Sequence, residues 1–362
     1  MISREEINAM LKKYDHKKIA LATLCSHSSL QIFHGAKQEG FRTIGIVERE
    51  NRGTYDAFPL ARPDEYIELE KFSELPKLCE RLASENAILV PHGSLVEYLG
   101  ASLLDLEIPI FGNRRCLEWE RDRAKMLEWM RQSGMRLPRT LSPDKIDRVC
   151  IVKFPGARGG KGYLLVQDEK DFHKKINGAL KARAITEDDV RRAVIQEYVI
   201  GVRFYPHYFY SPLSADGFKA GEGRLELMSI DKRFETNIDE IYRPMASGIT
   251  PRPSFTVAGN LPLVLRESLL HDIFKIGKSA VETSIKLFGG IPGPFCIETV
   301  CDENLKFTAF EISARIVAGT NLYPLGSQYS PYMFGAPMST GRRIAVELKS
   351  ALKTDRMEKV VY

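Results

Sequence analysis

Residues 151–163 read Ile151-Val-Lys153-Phe-Pro-Gly156-Ala-Arg158-Gly159-Gly160-Lys161-Gly162-Tyr163, four glycines and three basic side chains directly after a short apolar run. Each glycine loses roughly 0.5–1 kcal/mol more conformational freedom on ordering than alanine does, so a glycine-rich turn implies a ligand that holds it. Phosphate suits the composition: Gly156, Gly159, Gly160 and Gly162 let backbone N–H groups approach an anion closely, while Lys153, Arg158 and Lys161 supply charge. The stretch is not a Walker loop, because Lys161 precedes glycine instead of Ser or Thr, and Pro155 stands where the first Walker glycine belongs. Tyr163 to Gln167 is apolar and β-prone, which gives strand, glycine flap, strand, the arrangement of loops that close over a nucleotide's phosphates. Taken alone, the same loop also suits a mobile surface hairpin.

Upstream, the first hundred residues read as βαβ units: strands over 19–24, 42–47 and 87–90, with a helix over 28–40 and a short helical segment over 95–103. This alternation predicts a mostly parallel sheet with ligands outside the carboxyl ends of its strands. Two exit loops, Cys25-Ser26-His27-Ser28-Ser29 and Pro91-His92-Gly93-Ser94, then share one rim, and each opens a helix whose free N–H groups favour an anion. The alternative for the serines is ordinary helix capping. Residues 114–133 read as one charged connecting helix ending at Gly134. Beyond the flap, strands over 193–199, 202–210 and 224–230 adjoin one another, followed by the charged exit Asp231-Lys-Arg-Phe-Glu235 and a helix over 266–286, so this half is expected to be antiparallel.

The segment Phe295-Cys-Ile-Glu298-Thr-Val-Cys-Asp302-Glu-Asn304-Leu-Lys-Phe-Thr-Ala-Phe-Glu311-Ile-Ser313-Ala-Arg315 reads as a hairpin around Asp302 to Asn304. An even loop sets Glu298 opposite Ala309, with Glu311 a diagonal neighbour on the same face at roughly 7–8 Å, within reach of one shared Mg²⁺. An odd loop without a bulge sends the two carboxylates to opposite faces. Arg315, just beyond, is placed to cover a transferring phosphoryl group.

Composition sets the bounds. The 362 residues suggest two or three α/β modules. No run approaches the roughly 20 apolar residues of a membrane span, and the charged N-terminus does not read as a signal peptide. A net charge of +5, from 52 basic and 47 acidic residues, argues for small phosphorylated ligands and against nucleic acid. Six cysteines without a CxxC pair predict reduced, buried thiols and a cytoplasmic location.

The flap after a lysine-bearing strand, Gln196-Glu197-Tyr198-Val199, and Glu-x-Ser-x-Arg after a first glutamate resemble the ATP-grasp superfamily. The set formed by residues 23–30, 90–94, 111–115, 152–162, 231–235, Gly259-Asn260, 266–268, 313–315 and 319–321 resembles the archaeal formate-dependent FAICAR synthetases of purine (IMP) biosynthesis. The resemblance implies an α/β and α+β, ATP-grasp architecture: an N-terminal Rossmann-like, parallel-sheet, substrate-binding domain over 1–122, a small lid domain with the flap over 123–200, and a mostly antiparallel ATP-binding domain with the metal site over 201–362. It implies a ligase that joins formate to the amine of AICAR and releases ADP and phosphate. It assigns the ribonucleotide to His27, Ser94 and Asn260 with Ser26 and Ser28 beside them. It assigns ATP to Lys153, the flap (Gly156, Arg158, Gly159, Gly160, Lys161), Gln196, Glu197, Tyr198, Val199 and Glu235, and it assigns metal, Mg²⁺ with Mn²⁺ as the alternative, to Glu298 and Glu311. Lys153, Arg315 and His27 are the catalytic candidates, and a trimeric or hexameric homo-oligomer is implied. Ser313 stands where many ATP-grasp proteins carry a metal-binding Asn, which leaves the number of metal ions open. The competing expectations are an ATP-grasp ligase for another acid and amine, and a non-catalytic nucleotide-binding regulator.

Overall fold

The computed structural model describes residues 1–154, 163–237, 240–249, 251, 254 and 256–362. The apolar runs of the first hundred residues form a parallel sheet in the order β3-β2-β1-β4, from β1 (Ala20–Leu24), β2 (Arg42–Glu48), β3 (Glu65–Leu69) and β4 (Ala87–Leu89). β1 is buried along its whole length, as a central strand covered on both faces must be. β3 was not expected: its Glu-Tyr-Ile-Glu-Leu carries two charges and lacks a clean alternation, which the sheet edge tolerates because Glu65 and Glu68 pair there with Arg42, Arg52 and Arg81.

A second, antiparallel sheet runs in the order β5-β8-β6-β7, from β5 (Thr140–Leu141), β6 (Cys150–Lys153), β7 (Tyr163–Val166) and β8 (Val194–Glu197). Lys153 pairs with Tyr163, so the two strands expected to flank the flap are antiparallel neighbours; the flap residues 155–162 lie outside the described residues. The third sheet is wholly antiparallel, in the order β10-β11-β9-β13-β14 with β12 on β11. Its strands are β9 (Val202–Ser211), β10 (Lys219–Ala220), β11 (Gly223–Glu235), β12 (Val257–Pro262), β13 (Gly293–Cys301) and β14 (Phe307–Ser313). The helix Leu270–Phe288 packs on this sheet, starting four residues later than expected because 267–269 form a single 3₁₀ turn.

The connecting segment is two helices, not one. Arg114–Arg121 and Arg123–Gln132 are separated at Asp122, whose backbone is extended and whose carboxylate accepts the N–H groups of Ala124 and Lys125. The break lets Trp119 and Trp129 both meet Phe288, at ring distances of 5.1 and 5.0 Å, while the Trp129 indole donates to Ala280 O at 3.0 Å. A last helix, Thr340–Lys353, returns to the first sheet and crosses the helix Ser29–Gln38. The crossing is so close that a Cβ on Gly35 would lie 2.2 Å from Arg342 N, and one on Gly341 2.1 Å from Gln31 O. All six cysteines are free and buried, and no helix of the described residues is long and apolar enough to cross a membrane.

Candidate functional site

The three sheets meet around one cleft of about 420 Å³. From the first sheet it receives His27 and Gly93; from the second, Ile151, Lys153, Tyr163 and the run 196–199; from the third, Arg203, Arg233, Glu235, Glu298, Glu311 and Arg315. Residues at alternating positions of β6, β9, β11 and β13 supply it, because alternate side chains of a strand share a face.

The hairpin geometry differs from the even-loop expectation. Cys301 pairs with Phe307, so the loop 302–306 has five residues, an odd number. A bulge then shifts the register: Thr299 faces Ala309, but Glu298 faces Glu311 directly, not Ala309 as the even loop required. Phe310 is the extra residue, and Ala309 sends its N–H to Arg136 O at 2.8 Å. The bulge turns both Phe310 and Glu311 toward the cleft, and the Lys153 ammonium stands 6.0 Å from the Phe310 ring centre.

Charge is densely compensated here. Glu298 is fully buried and contacts the Arg233 guanidinium, which also lies 4.6 Å from the Tyr205 ring. Burial pushes the Glu298 carboxyl up, to about 7, against the pull of Arg233; Glu311 opposite pushes the same way as burial. Burial brings Lys153 down to about 8, with Arg123 adding repulsion. Arg203 pairs with Glu235. Among the described residues no His, Cys, Asp or Glu cluster of three or more could hold a metal ion. Two facing carboxylates nonetheless fit Mg²⁺, which is commonly held by one or two carboxylates plus waters and substrate phosphates.

At the other end, the two rim loops meet. Ser26 Oγ and Ser94 Oγ are 2.8 Å apart, and His27 Nδ1 lies 2.7 Å from Ser28 Oγ. Ser28 occupies the N-cap position of its helix yet makes no capping bond, so its hydroxyl orients the imidazole instead. His27 adopts φ +51°, an uncommon conformation for a non-glycine residue, and Asn321 Nδ2 holds its carbonyl at 2.8 Å. Its ring stacks on His92 at 5.4 Å, and a Cβ on Gly93 would sit 2.7 Å from His27 Nε2. Loss of hydration against its packed neighbours, with His92 and Arg315 nearby, holds the His27 pKa well below the usual range although the residue is part-exposed at the rim; burial brings His92 down to about 4, against the opposing pull of its bond to Leu24 O.

Of the anticipated residues, His27, Lys153, Gln196, Glu197, Tyr198, Val199, Glu235, Glu298, Glu311 and Arg315 line the cleft. Ser26, Ser28 and Ser94 stand behind His27 instead of lining it, and Asn260 donates to Asp231 Oδ2 at 2.6 Å, away from the lining. Gly156, Arg158, Gly159, Gly160 and Lys161 lie outside the described residues. Sequence reading missed Glu120, Arg121, Arg123, Arg203 and Arg233. Asp122 signalled the first three, since an N-cap inside a charged helix marks a break. Arg233 lay in a segment taken for an exit loop, whereas β11 runs on through it to Glu235.

Two family models match the chain: one described as a protein of unknown function (DUF1246) over residues 21–141, the other as a domain of unknown function (DUF1297) over 171–362. The 5-formaminoimidazole-4-carboxamide-1-(beta)-D-ribofuranosyl 5'-monophosphate synthetases of Methanococcoides burtonii and Methanothrix thermoacetophila are 47% and 49% identical to it, each over 100% of both chains. The crystal structure of an IMP biosynthesis protein PurP from Thermococcus kodakaraensis superposes with a TM-score of 0.74 at 30% identity, covering 94% of this chain and 100% of that one. An N5-carboxyaminoimidazole synthetase from Staphylococcus aureus complexed with ADP shares the fold at a TM-score of 0.57 and 13% identity, over 91% of this chain and 77% of that one. With full-length identity of this order and an ATP-grasp architecture, the chain belongs to the family of the 5-formaminoimidazole-4-carboxamide ribonucleotide (FAICAR) synthetases.

Proposed function

We propose that the protein is an ATP-dependent ligase that converts AICAR and formate to FAICAR, with release of ADP and phosphate. The observation that carries this reading is the convergence of His27 with Lys153, Glu298 and Glu311 on one cleft, so that a ribonucleotide on the parallel-sheet rim faces a nucleotide held between the antiparallel sheets. We assign residues 1–122 to the rim, 123–200 to the lid and 201–362 to the nucleotide and metal site.

Formate is an unreactive carboxylate, so amine attack requires an activated form. A formate oxygen displaces ADP from the γ-phosphorus, giving formyl phosphate; the AICAR amine then attacks the formyl carbon, loses a proton, and expels inorganic phosphate. Mg²⁺ held by Glu298 and Glu311 would neutralise charge on the transferring phosphoryl group. Lys153 and Arg123 flank the phosphates, and Arg315 covers the reacting oxygens. The depressed His27 pKa keeps the ring neutral at pH 7, so it serves as a hydrogen-bonding anchor for the ribonucleotide and not as a fixed cation. An arylamine is already neutral at this pH and needs no strong general base. ADP release measured with formate and AICAR each omitted in turn tests the assignment; full release without either one overturns it.

His27→Ala is expected to raise the AICAR requirement about ten- to hundredfold, the loss of one hydrogen bond to a charged group, while leaving that for ATP nearly unchanged. Ser94→Ala, which frees Ser26, should act in the same direction more weakly. Steady-state kinetics with each substrate varied separates this from equal losses, which would point to impaired closure of the cleft.

A pH limb follows from Lys153. Its ammonium is disfavoured by burial, so kcat/KM for ATP is expected to fall as pH rises through about 8, and Lys153→Arg, whose guanidinium stays charged, should lack that limb. The stability effect has the opposite sign. The unfolded lysine keeps its proton up to about 10.5, so between about 8 and 10.5 the unfolded state binds more protons and this group makes folding more favourable as pH rises.

A further inference from the structure

Glu120 belongs to no anticipated part of the site, yet it makes two bonds beside Arg315. Its Oε1 is 3.1 Å from Arg315 Nη2, and its Oε2 accepts the Ala314 N–H at 2.7 Å. Four residues earlier on the same helix, Cys116 Sγ contacts Ala314 O at 3.5 Å. Positions i and i+4 share a helix face, so one face of Arg114–Arg121 grips both backbone groups of residue 314 and the side chain of residue 315. The helix is itself anchored at its start, where Asn113 Nδ2 donates to Phe288 O at 3.1 Å and Gly290 O at 2.8 Å. Among the described residues, the Arg315 guanidinium has, apart from Glu120, only Ile316 O at 3.4 Å, and its buried Nε has no partner. Both side chains are nearly buried and both line the cleft, so the pair is shielded from water where a fixed direction of the guanidinium matters most.

We propose that Glu120 is the positioning residue for Arg315 in the ligase reaction, one carboxylate oxygen fixing the guanidinium and the other the peptide N–H that precedes it. The proposal rests on the reading of Arg315 as the cation facing the transferring group. Glu120→Gln keeps an acceptor for Ala314 but offers Arg315 a neutral group. It is expected to lower kcat about ten- to hundredfold, the effect of a small misplacement of a catalytic group, with KM for ATP within about threefold of the wild type. Glu120→Asp, which keeps the charge on a shorter side chain, should recover part of that loss, and it replaces the glutamine variant if the latter does not fold. Combined with Arg315→Lys, Glu120→Gln should add little, because the two residues act as a unit. A second readout needs no substrate: phenylglyoxal modification of Arg315, followed by mass spectrometry, should be several-fold faster in Glu120→Gln while that of Arg123 stays constant. Wild-type kcat in both variants, multiplicative losses in the double variant, or unchanged labelling of Arg315 would each overturn the proposal. A wild-type protein that labels as expected but does not turn over AICAR and formate would sink the assigned reaction and leave the positioning role standing.

Discussion

Lys153→Ala is expected to reduce ATP-dependent turnover by roughly a hundredfold or more and to weaken ATP binding in parallel. The ammonium stands in the cleft at the end of β6, opposite Tyr163 and over Phe310, where little water competes for it. A charge-assisted hydrogen bond of this kind contributes about 1.5–3 kcal/mol, and each 1.4 kcal/mol is about tenfold, so contacts to two phosphate oxygens reach the stated loss. The fold should not suffer. Burial and Arg123 both oppose the charge in the absence of nucleotide, so its removal is expected to leave the melting temperature unchanged or slightly higher. Calorimetry decides the matter: wild-type ATP affinity in the variant would move the phosphate site elsewhere.

Glu311→Gln should abolish Mg²⁺-dependent turnover while the protein folds normally, since the isostere keeps shape and loses the anionic ligand. Glu298→Gln separates two roles that coincide in the partner strand. It too should stop turnover, but it also leaves Arg233 without its counter-charge; removing one member of a buried pair typically destabilises by about 3–5 kcal/mol. A lower melting temperature for the Glu298 variant and an unchanged one for the Glu311 variant is the expected pattern. Activity of Glu311→Gln at the wild-type Mg²⁺ requirement would make the hairpin structural.

What the sequence disclosed follows from physical range. Buried strands such as Ala20–Leu24 and the flap strands announce themselves through short apolar runs and glycine, both local signals. The rim loops, Lys153, and the two glutamates were legible because the residue type itself carries the chemistry. What escaped depends on partners distant in sequence. Glu120 and Arg123 look like solvated helix charges until Asp122 breaks the helix, and the break is compensated by Trp119 and Trp129 packing on Phe288, about 160 residues away. Asp231 to Glu235 is charged for a strand, but Asp231 bonds to His207, Arg233 to Glu298 and Glu235 to Arg203 across the same sheet. Asn260 came to the ribonucleotide site through the family resemblance alone, and its bond to Asp231 depends on strand pairing that no local signal announces.

The odd loop and the single bulge of the β13–β14 hairpin act together as a parity condition. Either one alone would point Glu311 away from Glu298; the two together restore the match. Insertions and deletions are therefore not equivalent along this hairpin. Straightening the bulge without removing a residue would set Glu298 opposite Phe310 and turn Glu311 out of the cleft, whereas loss of Phe310 itself would keep Glu311 opposite Glu298. Length changes of two in the loop preserve the frame. For anyone redesigning this scaffold, the hairpin must be counted like a codon: its meaning survives substitution more readily than a slip of one.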